Sequence, residues 1–405
     1  MRTRYGISPW VDQFPSSRRP DHPRFRGEHV ADVVIVGGGI TGCATAYACA
    51  VAGLDVVVLE AERIGQASAG RGAGLLLSEP GPTFRDVEQA HGVRAARTAF
   101  ETWRRAMLDG AALLRRLNVK CALEPAESLI VAARDDEKLL RREHDARTKA
   151  GIEISWLSST LLKKVSAPEA PGAIRLSEAL TLDPYRACLG LASAAASRGA
   201  RLFEHSRVKK AKVARRHVDV ITDTGTIRAS TVVITTGTAS PEFKQLRRHF
   251  KRRESYLVLT EPMPAAMRKQ LGSRGTTFAD TRVPHHRVRW TSDDRILVAG
   301  AQQDETPERT RAAVLVQRTG QLMYELLTMF PGIAGLAPEY GWELTSGETA
   351  DGLMYIGPHR NFPRHLFALG GGGDSITGAF LASRILVRAL QDSAHKEDAV
   401  WGFTR

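Results

Sequence analysis

Residues 31–60 read ADVVIVGGGITGCATAYACAVAGLDVVVLE, and the fold follows from how that stretch is punctuated. Asp32 to Val36 is a short apolar run that reads as a strand, and Gly37 to Gly42 is rich in glycine. Thr41 to Ala52 is built from small residues with good helix propensity, and Gly53 stops that helix. Val56 to Leu59 is a second β-branched run ending at Glu60. The order strand, tight turn, helix, strand within thirty residues predicts parallel pairing through a right-handed crossover. In Gly37-x-Gly39-x-x-Gly42 the first glycine permits the turn, the second lets a pyrophosphate approach the backbone, and the third lets the helix pack on the strand. Free N–H groups and the dipole at the helix start then hold a diphosphate, with Ile40 and Thr41 in the first turn. Glu60 lies 18 residues past Gly42, where a carboxylate accepts from ribose hydroxyls and disfavours a 2′-phosphate. The motif by itself leaves FAD and NAD both open.

The surrounding chain is large enough for two domains, with 405 residues of which 43% are apolar. Met1 to Val30 is rich in Arg and Pro; its Arg18-Arg19 pair hints at twin-arginine export, yet no apolar stretch there serves as a signal core. Elsewhere no apolar run reaches the length of a membrane span, so a soluble, cytoplasmic protein is expected. Cys43, Cys49, Cys121 and Cys188 are scattered without CxxC spacing, which argues against a disulfide framework or a zinc site, and no metal is expected. The net charge of +13, with clusters at Lys209 to His217 and Lys244 to Arg253, could attract an anionic partner. Those clusters lack interleaved aromatic residues, so they read as solvated faces and no nucleic-acid partner is expected.

Further along, Arg85 to Leu117 has helical periodicity, with Ala99, Trp103, Ala106, Leu113, Leu114 and Leu117 on one side. Ser128 to Ala132 and Ile152 to Leu157 read as strands around a charged helix, Asp135 to Ala150. Tyr185 to Arg198 is helical, and strands follow near Val208 to Val213, His217 to Thr222 and Thr226 to Arg228. Thr231 to Thr235 is a buried strand entering Thr236-Gly237. Ser255 to Thr260 and Val288 to Ala301 suggest an antiparallel sheet, and a last helix, Ile376 to Leu390, follows Gly370 to Gly373. With no linker in view, the two domains are expected to interleave.

Four segments then carry a resemblance. Glu60 to Gly74, EAERIGQASAGRGAG, is similar to the segment after the second strand in the D-amino acid oxidase-like flavoproteins, the family of glycine oxidase, sarcosine oxidase and gamma-glutamylputrescine oxidase. Leu182 to Arg186 (LDPYR), Val232 to Gly237 (VVITTG), and Asp351 to Pro358 (DGLMYIGP) with Gly370 to Thr377 (GGGGDSIT) resemble later family elements in register. The chain departs from the pattern at Ala69 to Gly74, where a Ser and an Asn are replaced, and at Ser375, where glycine is common. The resemblance implies FAD, held noncovalently because no cysteine follows Cys188. It assigns to the cofactor Gly37, Gly39, Ile40, Thr41, Gly42, Glu60, Ala61 and Arg63, then Ala69, Gly70, Arg71 and Gly74. Val208, Thr236, Gly237 and Gly357 follow, and the last set is Gly370, Gly371, Gly372, Gly373, Asp374, Ser375 and Ile376. A glycine run before a helix also suits a flavin physically, since the helix N-terminus faces the negative charge of the reduced ring.

The implied reaction is hydride transfer from the carbon beside an amine nitrogen to flavin N5, with hydrolysis of the imine. Arg71 is then a donor near the ring or to a substrate carboxylate, Arg289 a candidate for a bidentate carboxylate contact, and His286 and Tyr256 candidate pocket residues. The expected partner is a small amine or amino acid, and the electron acceptor, O2 or another, stays open. A lysine that certain family oxidases carry near N5 has no counterpart between Asp294 and Gly300. Open beside this are a hydroxy acid or polyol phosphate substrate, modified tRNA, and a flavin-binding subunit with no pocket of its own. The expected fold is α/β: a Rossmann-type FAD-binding domain (31–117, 181–240, 340–405) interleaved with an α+β substrate domain on an antiparallel sheet (118–180, 241–339), behind an extension, 1–30.

Overall fold

The computed structural model describes residues 2–165, 168–271, 275–372 and 376–405, and two sheets organise them. At the centre of the first is Gly27–Val36, flanked by Val56–Leu59 on one side and Gly225–Gly237 on the other, all parallel. Arg201–Phe203 and Phe362–Leu369 extend the parallel set outward, and Tyr355–His359 closes one edge antiparallel. Parallel strands are buried on both faces, which explains runs as apolar as VVIV and VVVL. Four helices cover one face: Ile40–Val51, Val93–Arg116, Pro184–Ser197 and Ile376–Leu390 share a core with Val33, Ile35, Val56 and Val58. Across the sheet, Val34, Val57 and Ile234 pack against Phe25, Phe243 and the outer strands Lys210–Val213 and Val218–Ile221.

The second sheet has ten strands and is mostly antiparallel. Its middle runs through Lys251–Thr260, Ile296–Asp304, Arg287–Trp290, Thr276–Asp280, Glu124–Val131 and Gly172–Thr181. The helix Glu308–Met329 lies on one face, where Leu315, Leu322 and Leu326 meet Tyr256, Val258, Val288 and Val298. The opposite face carries Leu257, Leu259, Leu297, Tyr340 and Trp342, packed with Ala73 and Leu75.

Several expectations are revised. The helical stretch 85–117 is two helices, Phe84–His91 and Val93–Arg116, because Gly92 takes φ +82° between them. The segments at Thr226 and Thr231 are one strand, Gly225–Gly237. Val288 to Ala301 is a hairpin, Arg287–Trp290 and Ile296–Asp304, turned at Asp294 with φ +66°. Leu75–Leu77 and Pro338–Glu348, read with the FAD-binding segments in whole or part, pair into the second sheet. Residues 2–30 are integral rather than a tail: Arg4–Tyr5 pairs in parallel with Tyr340-Gly341, and Phe25 is fully buried. No helix among the described residues is long and apolar enough to cross a membrane.

Candidate functional site

Every parallel strand of the first sheet ends at the same edge, where Val36 passes to Gly37, Leu59 to Glu60, and Leu369 to Gly370. Ligands of doubly wound sheets bind outside these carboxyl ends. Here the turn Gly37 to Gly42 is held from four directions. A Cβ at Gly42 would overlap the carbonyl oxygen of Gly37, so only glycine lets the helix start this close to the strand. Gly37 takes φ +111°, and a Cβ there would stand 2.9 Å from Thr235 O. Thr235, buried, places its Oγ1 3.0 Å from Val36 O and 3.1 Å from Gly37 O and so ties the turn to the neighbouring strand. Gly38 donates to Glu60 Oε2 at 2.7 Å and accepts from Gly65 N at 3.0 Å.

Under the turn, the thiols of Cys43 and Cys188 lie 3.5 and 3.6 Å from Gly38 O and 3.8 Å from each other. Gly39 is unlike its neighbours: it caps the helix Ile40–Val51 without a side-chain bond, and nothing stands within 4 Å of where its Cβ would be. The first N–H groups of a helix have no intrahelical partner. Open space over those donors, with a glycine cradle packed tight behind it, fits the diphosphate of a dinucleotide. Glu60 also accepts from Glu62 N at 2.9 Å, and a carboxylate with two engaged oxygens retains lone pairs for ribose hydroxyls.

The other residues assigned to the cofactor distribute around this edge. Ala61 and Arg63 bracket Glu62 in the bend after Glu60, and Glu62 O accepts from His205 N at 2.9 Å. Val208 is three residues beyond, half-buried against the outer hairpin. Thr236 and Gly237 are exposed at the end of their strand, and Gly237 O accepts from Gly370 N at 2.9 Å, so the two glycine segments are neighbours. Gly371 and Gly372 continue from there, Gly372 with φ +66°, and Ile376 opens the helix Ile376–Leu390, buried. Gly357 takes φ +118° within the edge strand Tyr355–His359. Gly373, Asp374 and Ser375 lie outside the described residues.

Ala69 to Gly74 crosses from the turn to the second sheet, and its carbonyls are taken up one after another. Gly70 O accepts from Ser8 Oγ, and Gly72 O from Trp10 Nε1 at 3.0 Å. Arg71 O accepts from Trp342 Nε1 at 2.8 Å. Ala73 O and Leu182 O each accept from Arg289 NH1 at 3.0 Å, and Gly74 O accepts from the same nitrogen. Gly74 has φ +72°, and a Cβ there would press on both Leu182 O and Arg289.

The four residues assigned to substrate separate accordingly. Arg71, about one-third exposed, donates NH1 to Glu343 Oε1 at 3.0 Å and NH2 to Gly6 O at 3.2 Å. Arg289 is buried among backbone carbonyls that position the loop, because its strand presents it on the face toward Ala73 and Gly74. Tyr256 and His286 face the other way. Side chains alternate along a strand, so Tyr256 joins Val258 under the helix Glu308–Met329 while Leu257 and Leu259 face the loop. Tyr256 bonds Glu254 Oε2 and Thr306 Oγ1 at 3.0 Å each. His286 bridges Asp280 Oδ2 and Glu325 Oε2, 2.8 Å from each, and reaches that helix. These two, expected as candidate pocket residues, therefore lie on the face of the sheet away from Ala69–Gly74. Burial pulls the His286 pKa down, but the two carboxylates outweigh it and hold the pKa above the ordinary value.

An open cavity of about 520 Å³ lies at the end of the second sheet, lined by Glu124, Thr181, Thr277, Trp290, Thr291 and Ser292 among others. It sits beside the Arg289 clamp, since Thr181 precedes Leu182 and Trp290 follows Arg289. Glu124 is the carboxylate among its lining residues.

Thr235, Ser8, Trp10 and Trp342 were not anticipated. Ser8-Pro9 is a helix-start pattern, with an N-cap serine and proline at N1, and Trp10 and Phe14 stand at i, i+4 spacing, so a signal was present in the extension. Thr235 carried none beyond its place near a strand end.

The sequence model of the family described as FAD dependent oxidoreductase matches residues 32–389. Gamma-glutamylputrescine oxidoreductase of Escherichia coli (strain K12) is 26% identical over 387 residues, covering 91% of this chain and 85% of that protein. Glycine oxidase of Bacillus licheniformis is 26% identical over 380 residues, covering 88% and 93%. Among solved structures, glycine oxidase from Geobacillus kaustophilus superposes with a TM-score of 0.76 at 19% identity, over 93% of this chain and 99% of that one, a likeness of fold.

Proposed function

The chain belongs to the FAD dependent oxidoreductase family, and from that membership we propose that it oxidises the C–N bond of a small amine or amino acid. The carboxyl-end edge of the first sheet, with the Gly37–Gly42 turn and Glu60, would hold FAD, which would supply a two-electron acceptor for that oxidation. The relatives named for gamma-glutamylputrescine and for glycine support a nitrogen substrate. The observation that carries the reading is the family match over residues 32–389, and the tight glycine cradle with open space over Gly39 at the start of Ile40–Val51 supports a dinucleotide at that edge.

The protein's own groups then have distinct tasks. Helix N–H donors at the start of Ile40–Val51 would hold the diphosphate, and Glu60 the ribose. No cysteine follows Cys188 and all four cysteines are buried, which supports noncovalent attachment. The cavity bounded by Glu124, Thr181 and Trp290 is the candidate substrate space, where Glu124 would meet an ammonium group among the hydroxyl-bearing residues Thr181, Thr277, Thr291 and Ser292. Arg71, shared with Glu343, is a candidate to receive a substrate carboxylate.

The test is an absorption spectrum of purified protein before and after anaerobic addition of secondary amines, D- and L-amino acids and 2-hydroxy acids. Bleaching with an amine, followed by release of amine or ammonia, is expected. Bleaching by a 2-hydroxy acid alone would replace the substrate class, and protein that takes up no FAD would overturn the reading. Readmission of air to the bleached sample distinguishes O2 from another acceptor.

A further inference from the structure

We propose that residues 3–14 are a built-in strap that sets the conformation of the loop Ala69–Gly74 for the cofactor, with Ser8 and Trp10 as positioning residues. The inference rests on the reading that this edge of the first sheet holds FAD.

The strap is anchored at both ends independently of the loop. At one end Gly6 N donates to Gly341 O at 2.9 Å beside the short parallel pairing of Arg4–Tyr5 with the second sheet. At the other, Phe14 meets the ring of Tyr185 edge-on at 5.4 Å, and Tyr185 is fully buried in the core of the first sheet. Between the anchors the helix Pro9–Asp12 starts on Ser8, whose oxygen accepts from Val11 N, and Tyr340 OH donates to Asp12 Oδ2 at 2.8 Å. A segment fixed to both sheets spans the gap the loop must cross.

Its contacts with the loop are specific in chemistry. Ser8 Oγ donates to Gly70 O, and Trp10 Nε1 donates to Gly72 O at 3.0 Å. A Cβ on Gly70 would stand 2.7 Å from Gly65 O and 2.8 Å from Val11 Cγ2, so glycine is required by the turn after Gly65 and by the strap packed against it together. The indole of Trp10 also lies over the Arg289 guanidinium, 5.3 Å from ring centroid to Cζ. Arg289 in turn holds Ala73 O and Leu182 O. Trp10 therefore acts on one loop carbonyl directly, Gly72 O, and on Ala73 O and Gly74 O through Arg289, and Gly6 O receives Arg71 NH2 from the loop itself.

Each peptide whose carbonyl is pinned has its orientation set. The loop leaves the turn at Gly65, bonded to Gly38, and soon after it Leu77 O accepts from Thr377 Oγ1 on the last helix. It thus connects the diphosphate cradle to the C-terminal glycine run, and its conformation bears on whatever lies between them. Ordering it in advance removes an entropic cost from binding.

The test uses the full chain, with Trp10→Ala, Trp10→Phe and Ser8→Ala compared with wild type. Measurements are the FAD dissociation constant of the apoprotein, the flavin absorption maxima and reduction potential of the holoprotein, and the apoprotein melting temperature. Trp10→Ala is expected to weaken FAD about tenfold and to shift the flavin spectrum, which one lost hydrogen bond and its cation contact can supply. Trp10→Phe, which keeps a ring over Arg289, should recover part of the loss, and Ser8→Ala should show a smaller loss of the same kind. Variants that melt lower but bind FAD with unchanged affinity, spectrum and potential would reduce the strap to packing and overturn the proposal. If Trp10→Ala does not fold, Trp10→Phe and Ser8→Ala decide it by the same readouts. Wild-type protein that takes up no FAD would overturn the underlying reading instead, since the strap is then judged by nothing it positions.

Discussion

Arg405 grips Asp351 with both arms of its guanidinium fork, Nε 2.7 Å from Oδ2 and NH2 2.9 Å from Oδ1. The remaining nitrogen, NH1, donates to Met354 O at 2.8 Å, and His91 Nε2 stands 2.9 Å from the same carboxylate. The pair closes the bend between Pro338–Glu348 in one sheet and Tyr355–His359 in the other.

Burial alone would raise the pKa of Asp351, but the bonds and charge of Arg405 override it and bring the pKa down to about 2. A carboxylate depressed from an unfolded value near 4 contributes stability that is complete above that value and is lost as pH falls through the folded one. The contribution is about 2 kcal/mol. Melting temperature followed from pH 6 down to pH 2 should drop in that window. Arg405→Met should lower the plateau and move the acid transition upward; an unchanged acid limb would mean that the fork adds nothing.

His286 reverses the sign. Its pKa is held above the ordinary value by Asp280 and Glu325, so its stabilisation is complete below about 6.5 and disappears as pH rises through the folded pKa. Arg282 stands 3.6 Å from Asp280, and Gln321 Nε2 donates to Glu325 Oε1 at 3.0 Å, so neither carboxylate is left bare when the imidazole loses its proton. Urea midpoints at pH 5.5 and 8.5 should differ in wild type and converge in His286→Gln. Equal midpoints in wild type would rule the link out.

Two glycines of one motif should fail differently. Gly42→Ala forces a Cβ into Gly37 O and should lower the melting temperature of the apoprotein, by the equivalent of about 1–3 kcal/mol of overpacking. Gly39→Ala meets no protein atom and has φ −76°, so the apoprotein should melt as wild type while FAD affinity falls, because the methyl occupies the approach to the helix. Apoprotein melting and FAD titration of both variants check this, and an undiminished affinity in Gly39→Ala would move the diphosphate elsewhere.

The cysteines should be silent in the native protein. All four are buried, and burial pushes the thiol of Cys49 up to about 12 and that of Cys121 up to about 11. Thiolate is the reactive form. A disulfide reagent at pH 8 should find no thiol before denaturant is added and four after, and rapid labelling of Cys43 or Cys188 would show that the glycine turn opens readily.

Much of the first sheet was legible because its signals are local. Val56–Leu59 and Ile376–Leu390 have the bounds their patterns suggest, and the turn between strand and helix is written in three glycines. The second sheet was harder to read. Gly172–Thr181, with Arg175 and Glu178 in the middle of a strand, breaks alternation, and its pairing with Glu124–Val131 shifts register between Ala126 and Ser128. The helix Glu308–Met329 buries only Leu315, Thr319, Leu322, Met323 and Leu326 along its length, a narrow stripe in a charged segment. Most of all, a strand covered on both faces does not tell which parity of side chains meets the site. Tyr256 and Arg289 are both buried, and only the placement of the helix on one face and Ala69–Gly74 on the other separates them.

The crossing of the chain between two sheets has a consequence for biosynthesis. The glycine turn leaves the ribosome early, but the strand beside Gly225–Gly237 is Phe362–Leu369, and the edge of the second sheet awaits Pro338–Glu348. A nascent chain that has passed residue 260 but not yet reached 338 therefore displays unpaired strand edges from both sheets at once, Gly225–Gly237 and Lys251–Thr260. The first of those edges stays open until Phe362–Leu369 is made, so the sheet that carries the glycine turn is completed only late in synthesis.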